Sequence, residues 1–405
     1  MRLYSPEFAA DPHGAYRDMR RDHGALVPVD IAPGVPATLV LGYREALHVF
    51  GDPARFPADP RLWQARQGTG CPVAATMGWQ PNAARTAGDE HVRYRSAVTN
   101  ALDRVDLHTL RHMVERTAVT LVNEFCQNGS VDLLNHYAVP LIVEIIDQLL
   151  GFTPDISDAM FDGMMTLRDA TTPAETAQAD AVMAAAMREL IANKRAAPAE
   201  DLTSWLLADP AALDDAEATH AIAMLYTSGT EPTWNLIANT LLLMVTDNRF
   251  GSDLLGGALS ARDAIDEALF ADPPLANSCL TYPRQPQLLG DFWLPEHQPV
   301  LISLAGCHDD PTVHGERTGN RSHLAWGAGP HACPAQSVAM LIANEALDQL
   351  LDALPDLELA HPASELAWRP GPFHRALTAL PVTFPPSPPL NYLSDTDPAA
   401  AARPW

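Results

Sequence analysis

A glycine-rich loop at residues 326–333 ends at Cys333 and leads directly into a helical segment. It limits the possible folds more than any other feature of the chain. Gly327 and Gly329 permit tight backbone turns that other residues resist. Pro334 suits the first position of the following helix. Because a helix N-terminus stabilises negative charge, Cys333 is predicted to be a thiolate, which serves as a nucleophile or as a ligand for a soft metal. A buried structural cysteine explains the residue alone equally well.

The composition predicts a large globular enzyme rather than a nucleic-acid-binding protein. The chain has 405 residues, of which 47% are hydrophobic, and a formal net charge of -24 at pH 7. This charge disfavours contact with nucleic acid or anionic membrane surfaces. The five cysteines are widely spaced without a Cys-x-x-Cys pair, which favours a reducing compartment. The sequence shows no apolar signal segment and no apolar run of about 18 residues, so we predict a cytoplasmic protein without a membrane span.

The periodicity of apolar residues predicts a mostly α-helical chain with a minor β region. The longest helix is predicted at 214–245, with Asp214 and Asp215 in its first turn and an interruption at 228–232. The irregular segment 52–87 is rich in Pro, Gly and Ala and is long enough to predict a functional loop. Further helices are predicted at 11–24, 43–50, 104–125, 131–150, 174–195, 261–270 and 334–351, and strands at 26–30, 38–42, 299–304, 357–360 and 376–384.

The segment from His323 to Gln336 resembles the cysteine-ligand loop of the cytochrome P450 family, whose pattern is aromatic-Gly-x-Gly-x-(His/Arg)-x-Cys. Trp326 takes the aromatic position. The resemblance implies that the cofactor is haem b, that Cys333 is the thiolate ligand of its iron, and that His331 contacts a haem propionate.

The same resemblance covers most of the chain. It implies the cytochrome P450 fold, with one haem-thiolate domain over residues 1–385 and the long central helix lying over the haem. The remaining segment, 386–405, is rich in Pro, Ala and Asp and is predicted to be a disordered tail.

His91 and Arg95 lie four residues apart and therefore share one face of a predicted helix. Two donor groups on one face suit a pair of carboxylates, although a solvated helix face explains the spacing alone better. The segment 89–95 resembles the family helix whose His and Arg bind the haem propionates. With Cys333 downstream, the resemblance implies this role for His91 and Arg95.

The long helix departs from the family pattern, which is (Ala/Gly)-Gly-x-acid-Thr-Thr. Segment 228–233 is Ser-Gly-Thr-Glu-Pro-Thr, so the acid is present as Glu231. The first threonine, which assists proton delivery in the family, is replaced by Pro232, which lacks an N–H and is predicted to kink the helix. The candidate catalytic residues are Glu231, Thr230 and Thr233. A polar groove residue without a catalytic role is an equal alternative for Glu231.

Two further departures concern charged residues. The Glu-x-x-Arg helix of the family is Glu267-Ala-Leu-Phe270 here, and we expect packing to replace the missing ion pair. A further arginine of that core matches Arg317. Another propionate-binding arginine of the family falls at Thr281, and nearby Arg284 is the candidate to compensate. Together these departures resemble an atypical actinobacterial branch of the family.

The resemblance implies a monooxygenase or oxidase of specialised metabolism that acts on a small organic substrate. It would use dioxygen and electrons from a separate ferredoxin and reductase. The substrate pocket is expected to include loop 60–87, segments 226–228, 276–278 and 371–373, and in particular Tyr226, Ser228, Ala276, Asn277 and Phe373. Because ferredoxins are acidic, docking requires a local basic patch, for which the candidates are Arg93, Arg104 and Arg111.

Other functions remain open at this point. The missing threonine hydroxyl favours a haem-binding protein with little turnover, which would act as a sensor or scaffold beside signalling partners. A hydrolase with Cys333 as nucleophile is supported by no second motif. The run Cys307-His308-Asp309-Asp310 has metal-binding side chains, but adjacent residues cannot close a tetrahedral zinc site without distant ligands.

Overall fold

The computed structural model describes residues 1–68, 71–170, 172–250, 260–313, 315 and 320–390. Its helices are α1 Pro6–Ala10, α2 Pro12–His23, α3 Tyr43–Gly51, α4 Arg61–Gln64, α5 Ala74–Met77, α6 Gly88–Leu102, α7 Leu107–Phe125, α8 Val139–Leu150, α9 Pro154–Asp169, α10 Pro173–Ala196, α11 Leu202–Leu207, α12 Asp215–Thr246, α13 Ala261–Ala271, α14 Leu304–His308 and α15 Gln336–Ala353. The strands are β1 Leu26–Ala32, β2 Val35–Val40, β3 Ser130–Asp132, β4 Asn277–Thr281, β5 Gln287–Leu289, β6 Phe292–Leu294, β7 Val300–Ser303, β8 Glu358–Leu359 and β9 Pro381–Thr383.

The predicted class, mostly α with a minor β region, is confirmed. The largest hydrophobic core is formed by buried faces of α6 to α8, α12 and α15, together with parts of α9 to α11 and α13. Helix α12 packs against α8, α10, α13 and α15. It is therefore the central helix of the helical layer, and its position decides which of its residues can reach a bound ligand. No helix in the described ranges is long and apolar enough to cross a membrane.

Helix α12 begins as its sequence predicts. The Asp214 side chain accepts a hydrogen bond from the Glu217 N–H, and Glu217 returns one to the Asp214 N–H, which together form a capping box. The helix then runs through Pro232 without a break, so the interruption predicted at 228–232 is wrong. Because proline has no N–H, the Ser228 carbonyl still lacks its usual partner four residues later.

The β region lies toward the two ends of the chain. β1, β2, β7 and β4 form a four-stranded sheet, in which β2 and β7 are parallel and the other pairs antiparallel. A second sheet has the order β3-β9-β8, and β5 with β6 forms a hairpin. The strand predicted at 376–384 shrinks to β9. The helix predicted at 131–150 begins instead with β3 and a π-helical turn at Leu134–Ala138, because residues 130–132 pair with β9.

The irregular segment 52–87 contains the short helices α4 and α5. The first residues of the predicted tail are bound to α7 and the residue after it. The Ser387 N–H donates to the Cys126 carbonyl at 2.9 Å, and the Leu390 N–H donates to Asn123 Oδ1 at 2.6 Å. Residues 391–405 and Arg317 lie outside the described residues.

Candidate functional site

The cysteine loop is held against the end of α3. Gly327 and Gly329 have φ values of 66° and 68°, in the left-handed region that favours glycine. A Cβ atom on Gly329 would lie 2.2 Å from the Phe50 carbonyl oxygen, so no larger residue fits there. The Cys333 N–H donates to the Trp326 carbonyl at 2.8 Å. The loop therefore presents Cys333 from a closed, tightly packed turn.

The Cys333 thiol is half-buried, and burial raises its pKa against the opposing effects of the Ala335 N–H and Arg95. Helix α15 begins only at Gln336, so Pro334 is not at its first position. The prediction of Pro334 as the first helical residue is therefore wrong, and the thiolate state of Cys333 stays a prediction. A bound metal ion deprotonates a coordinating thiol, so this environment suits a metal ligand better than a free nucleophile.

His91 and His331 lie beside the loop as a ring pair. Their centroids are 3.9 Å apart and their planes are tilted by 36°. His91 Nδ1 lies 2.9 Å from the Ala83 carbonyl oxygen, and His331 Nε2 lies 3.1 Å from the Thr86 carbonyl oxygen. Burial, assisted by His91 and Arg95, lowers the pKa of His331 to about 4. The two residues predicted to bind one group are thus brought together from α6 and the cysteine loop.

Three donors in this region lack protein partners. Arg95 forms no hydrogen bond or ion pair with any residue of the described ranges, and burial lowers its pKa although Cys333 opposes the shift. Trp326 Nε1 and Thr281 Oγ1 are buried without a hydrogen-bond partner among the same residues. Unpaired buried donors are rare in folded proteins. They fit the propionates of a haem held at Cys333. His91 Nε2 lies 3.2 Å from the Pro330 carbonyl oxygen and would have to give up that contact to join them.

Arg85 is a further cation near this region, and no sequence motif indicates it. Its Nη2 donates to the Thr76 carbonyl at 2.5 Å, and it has no carboxylate partner within the described ranges. Burial lowers its pKa, and the Tyr282 hydroxyl opposes this shift. Arg85 thus lies near Tyr282, the residue that follows Thr281, where the family arginine is missing. In the sequence it directly precedes Thr86, whose carbonyl oxygen faces His331.

Four arginines were predicted either to replace the missing propionate-binding arginine or to dock a ferredoxin, and all four are ion-paired. Arg284 is mostly exposed and lies 3.7 Å from Asp59, a weak surface ion pair. The three docking candidates pair as Arg93 with Glu217 at 2.6 Å, Arg104 with Glu200 at 3.6 Å and Arg111 with Glu345 at 2.5 Å. Their charges are largely neutralised, which weakens the hypothesis that they form a basic patch.

His308 connects α13 to the start of the cysteine loop, where the family uses the Glu-x-x-Arg pair. Its Nδ1 lies 2.9 Å from the Phe270 carbonyl oxygen, and its Nε2 accepts the Leu324 N–H at 2.7 Å. The Phe270 ring contacts the His308 and His323 rings edge-on, at centroid distances of 5.1 and 5.3 Å. An aromatic cluster with a bridging histidine thus lies where packing was expected to replace the ion pair.

Glu231 lies in a cluster of cations. It forms an ion pair with Arg369, and the His374 Nε2 lies 4.0 Å from its Oε2. Burial raises the pKa of Glu231, but His374, Arg369 and Arg168 together lower it below its ordinary value. The carboxylate is therefore held in its charged form. No sequence motif linked Arg369 or His374 to Glu231, because they lie more than 130 residues away in the chain.

Thr230 and Thr233 do not share the face of α12 that carries Glu231. At about 100° per residue, they lie on the side of Tyr226, whose ring stacks on Phe152 at 5.5 Å. The Thr230 hydroxyl donates to the Tyr226 carbonyl at 2.8 Å and is fully buried. Thr230 and Tyr226 therefore belong to the packing of α12 against neighbouring elements, and this geometry does not support their predicted roles in catalysis and substrate contact.

The other predicted pocket residues lie at the edge of β4 and the loop 371–373. Asn277 donates its backbone N–H to the Phe373 carbonyl at 3.1 Å and its Nδ2 to the Pro372 carbonyl at 2.8 Å. Because the Asn277 side chain also accepts the Tyr16 hydroxyl at 3.0 Å, it positions this loop and is not free to bind a ligand. Ala276 is buried, Phe373 is half-buried, and Ser228 is exposed.

The fold, the tightly turned cysteine loop and the unpaired donors beside it define a haem-thiolate protein. The cytochrome P450 monooxygenase PikC of Streptomyces venezuelae is 30% identical over 93% of this chain and 92% of its own. Cytochrome P450 107B1 of Saccharopolyspora erythraea is 27% identical over 94% and 96%. The structure of CYP154C4 from Streptomyces sp. ATCC 11861 superimposes with a TM-score of 0.87 at 25% identity, over 96% of this chain and 99% of the other. No protein-family model matches the chain.

The chain belongs to the cytochrome P450 family. It has the cytochrome P450 fold and is a haem-dependent monooxygenase of the P450 type.

Proposed function

We propose that this protein uses haem b to oxidise a small organic substrate of specialised metabolism, with electrons from a separate ferredoxin and reductase. Relatives support this substrate class, because they include a 6-deoxyerythronolide B hydroxylase at 25% identity and a 2-hydroxy-5-methyl-1-naphthoate 7-hydroxylase at 24%. A structural neighbour is the P450 monooxygenase TamI with bound tirandamycin C. The substrate itself, and a cytoplasmic location, stay predictions.

The observation that carries the proposal is the set of donors around Cys333. Cys333 would ligate the iron, and Arg95, His91 and His331 would hold the propionates. Thr281 and Arg85 lie where further contacts to the same anionic edge are expected. When bound, the haem supplies the activation of dioxygen. The protein supplies the thiolate, the orientation of the cofactor and the exclusion of water by α12 and the cysteine loop.

The axial ligand is tested by Cys333→Ser. We expect this variant to lose the red-shifted carbon-monoxide difference band of the reduced protein, because a serine oxygen does not replace the thiolate. Cys71→Ser is the matched control, since Cys71 is also a free, half-buried cysteine. Survival of the band in Cys333→Ser, or its loss in Cys71→Ser, would contradict the assignment.

We propose that Glu231 transfers protons to the oxygen-binding side. Thr233 lies on the opposite face of α12 and is therefore not part of this route. In the ground state Arg369 holds the Glu231 carboxylate charged. Glu231 can donate a proton only after it has taken one up from solvent, because burial lowers the pKa of the neighbouring His374 and keeps its imidazole neutral. Arg369 is therefore a positioning residue that sets the charge state of Glu231.

Arg369→Gln tests this role. Removal of the guanidinium should raise the pKa of Glu231 and move the alkaline limb of the rate–pH profile, on which the protonated donor is lost, to higher pH, whereas Glu231→Gln should remove that limb and lower the ratio of product to peroxide. Arg66→Gln, at an exposed arginine paired only with Glu296 in the described ranges, is the control. An unchanged pH profile in both Arg369→Gln and Glu231→Gln would refute the proposal.

A haem-binding protein with little turnover is the second candidate. Pro232 supplies no hydroxyl on α12, and Glu231 forms an ion pair with Arg369. Both features favour slow proton delivery. The two candidates differ in the fate of electrons from a ferredoxin. Product formation with any candidate substrate supports the enzyme, and peroxide alone with every substrate supports the sensor or scaffold.

A further inference from the structure

The first two turns of α7 carry a pair of histidines that the proposed haem chemistry does not use. His108 and His112 lie four residues apart, both exposed, and therefore share one face of the helix. Their Nε2 atoms are 3.3 Å apart, and their ring centroids are 4.5 Å apart at an angle of 76°. The two Nε2 atoms thus face each other on the exposed side of the helix.

This separation matches the edge of a metal coordination sphere. Two imidazole nitrogens bound to a tetrahedral Zn²⁺ at about 2.0–2.1 Å lie about 3.3–3.4 Å apart. Neutral imidazole Nε2 is a common ligand for divalent transition metals. The rings therefore need little movement to bind one ion between them.

The surroundings of the pair are those of a supported metal ligand. Glu115 Oε2 lies 3.0 Å from His112 Nδ1 and can accept its N–H. This arrangement leaves the His112 Nε2 lone pair free to accept, and a carboxylate behind a histidine is the usual outer contact of a metal-binding imidazole. In the metal-free protein, His108 Nε2–H donates to that lone pair, and on metal binding its proton moves to Nδ1.

The local charges also permit a cation. Arg111, on the same stretch of helix, is paired with Glu345 of α15, so its charge is neutralised. Asp106 caps the helix by accepting the His108 N–H and the Thr109 hydroxyl, which adds negative charge at this end. Within the described ranges there is no cluster of three or more metal-binding side chains, so water completes the coordination sphere.

We propose that His108 and His112 bind one divalent transition-metal ion, of the Zn²⁺, Ni²⁺ or Cu²⁺ class, at the N-terminal end of α7. The ion links the first turn of α7 to the second. Hard ions such as Mg²⁺, which require oxygen ligands, do not bind there. The site uses none of the residues assigned to haem binding, so the proposal does not depend on the cofactor assignment.

The test is calorimetric titration of the intact haem-loaded protein with NiCl₂ and with ZnCl₂ in a non-coordinating buffer. We expect a one-to-one site whose affinity falls at least about 10-fold in His108→Asn and in His112→Asn, and about 10-fold in Glu115→Gln. Its occupancy should also raise the melting temperature in the unmodified protein. His361→Asn, at an exposed histidine elsewhere, should bind as the unmodified protein does.

The outcomes are decisive because all three substituted positions are at least partly exposed and lie on a helix surface. Absence of a one-to-one site in the unmodified protein would overturn the proposal. An affinity in His108→Asn or in His112→Asn equal to that of the unmodified protein would place the ion elsewhere and overturn the proposal as well. An equal melting-temperature rise with MgCl₂ would show that the effect is ionic strength rather than coordination.

Discussion

His308 offers the sharpest test of how this chain does without the Glu-x-x-Arg ion pair. Its imidazole is buried and bridges the Phe270 carbonyl and the Leu324 N–H, at 2.9 and 2.7 Å. His308→Phe keeps a ring of similar size beside Phe270 but removes both hydrogen bonds. Each buried backbone group left without a partner costs about 1–3 kcal/mol. We therefore expect the free energy of unfolding to fall by about 2–6 kcal/mol.

The assay is denaturant unfolding of the haem-loaded protein, read together with its carbon-monoxide difference spectrum. Because Leu324 begins the approach to the cysteine loop, the fraction with the red-shifted thiolate band should decrease in His308→Phe at denaturant concentrations that leave the helices folded. His308→Asn, which keeps a donor and an acceptor, should recover part of the loss.

His323→Phe is the matched control, since His323 contacts the same Phe270 ring. Its Nδ1 is buried without a partner among the described residues, so its removal costs no hydrogen bond there. We expect a change in unfolding free energy of less than about 1 kcal/mol. If His308→Phe costs no more than His323→Phe, or leaves the thiolate band unchanged, the bridging role of His308 is wrong.

Two further predictions concern distant charged groups. Arg85→Gln should speed the transfer of haem to apomyoglobin about 10- to 100-fold, because a lost hydrogen bond to a charged group costs about 1.5–3 kcal/mol. Arg66→Gln, the control, should leave the transfer rate unchanged. Equal transfer rates in the two variants would exclude Arg85 as a haem anchor. His13 lies 3.1 Å from Asp272 and 3.3 Å from Asp309, and although burial lowers its pKa, these carboxylates raise it to about 9. A raised pKa in the folded state stabilises the protein fully below about pH 6.5, and this stability is lost as the pH rises through about 9. The free energy of unfolding in urea should therefore decline between pH 6 and pH 10. His13→Gln should make this pH dependence smaller.

Local sequence patterns were sufficient for much of the helical architecture. Asp214 and Glu217 are three residues apart, so the start of α12 follows from side chains that reach their own backbone. The turns at Gly327 and Gly329 likewise follow from residues that tolerate positive φ. The cysteine loop could therefore be located, and its family identified, without any tertiary contact.

Interpretations that relied on local rules failed where a distant segment competes. Residues 131–132 continue an apolar helical pattern but form β3, because β9 offers a strand partner about 250 residues later. Pro232 does not interrupt α12, since neighbouring helices hold both halves of the helix in the core.

The sequence by itself therefore determined the family, the cysteine ligand loop and the His91–Arg95 face, because each depends on residues a few positions apart. Only the tertiary structure decided how the missing charges are handled: His308 bridges helix and loop, Arg85 lies beside Tyr282, the residue after Thr281, and Arg369 holds Glu231 charged. The physical reason is that hydrogen bonds and ion pairs depend on atomic distance. Residues that are far apart in the chain leave no local pattern from which that distance can be predicted.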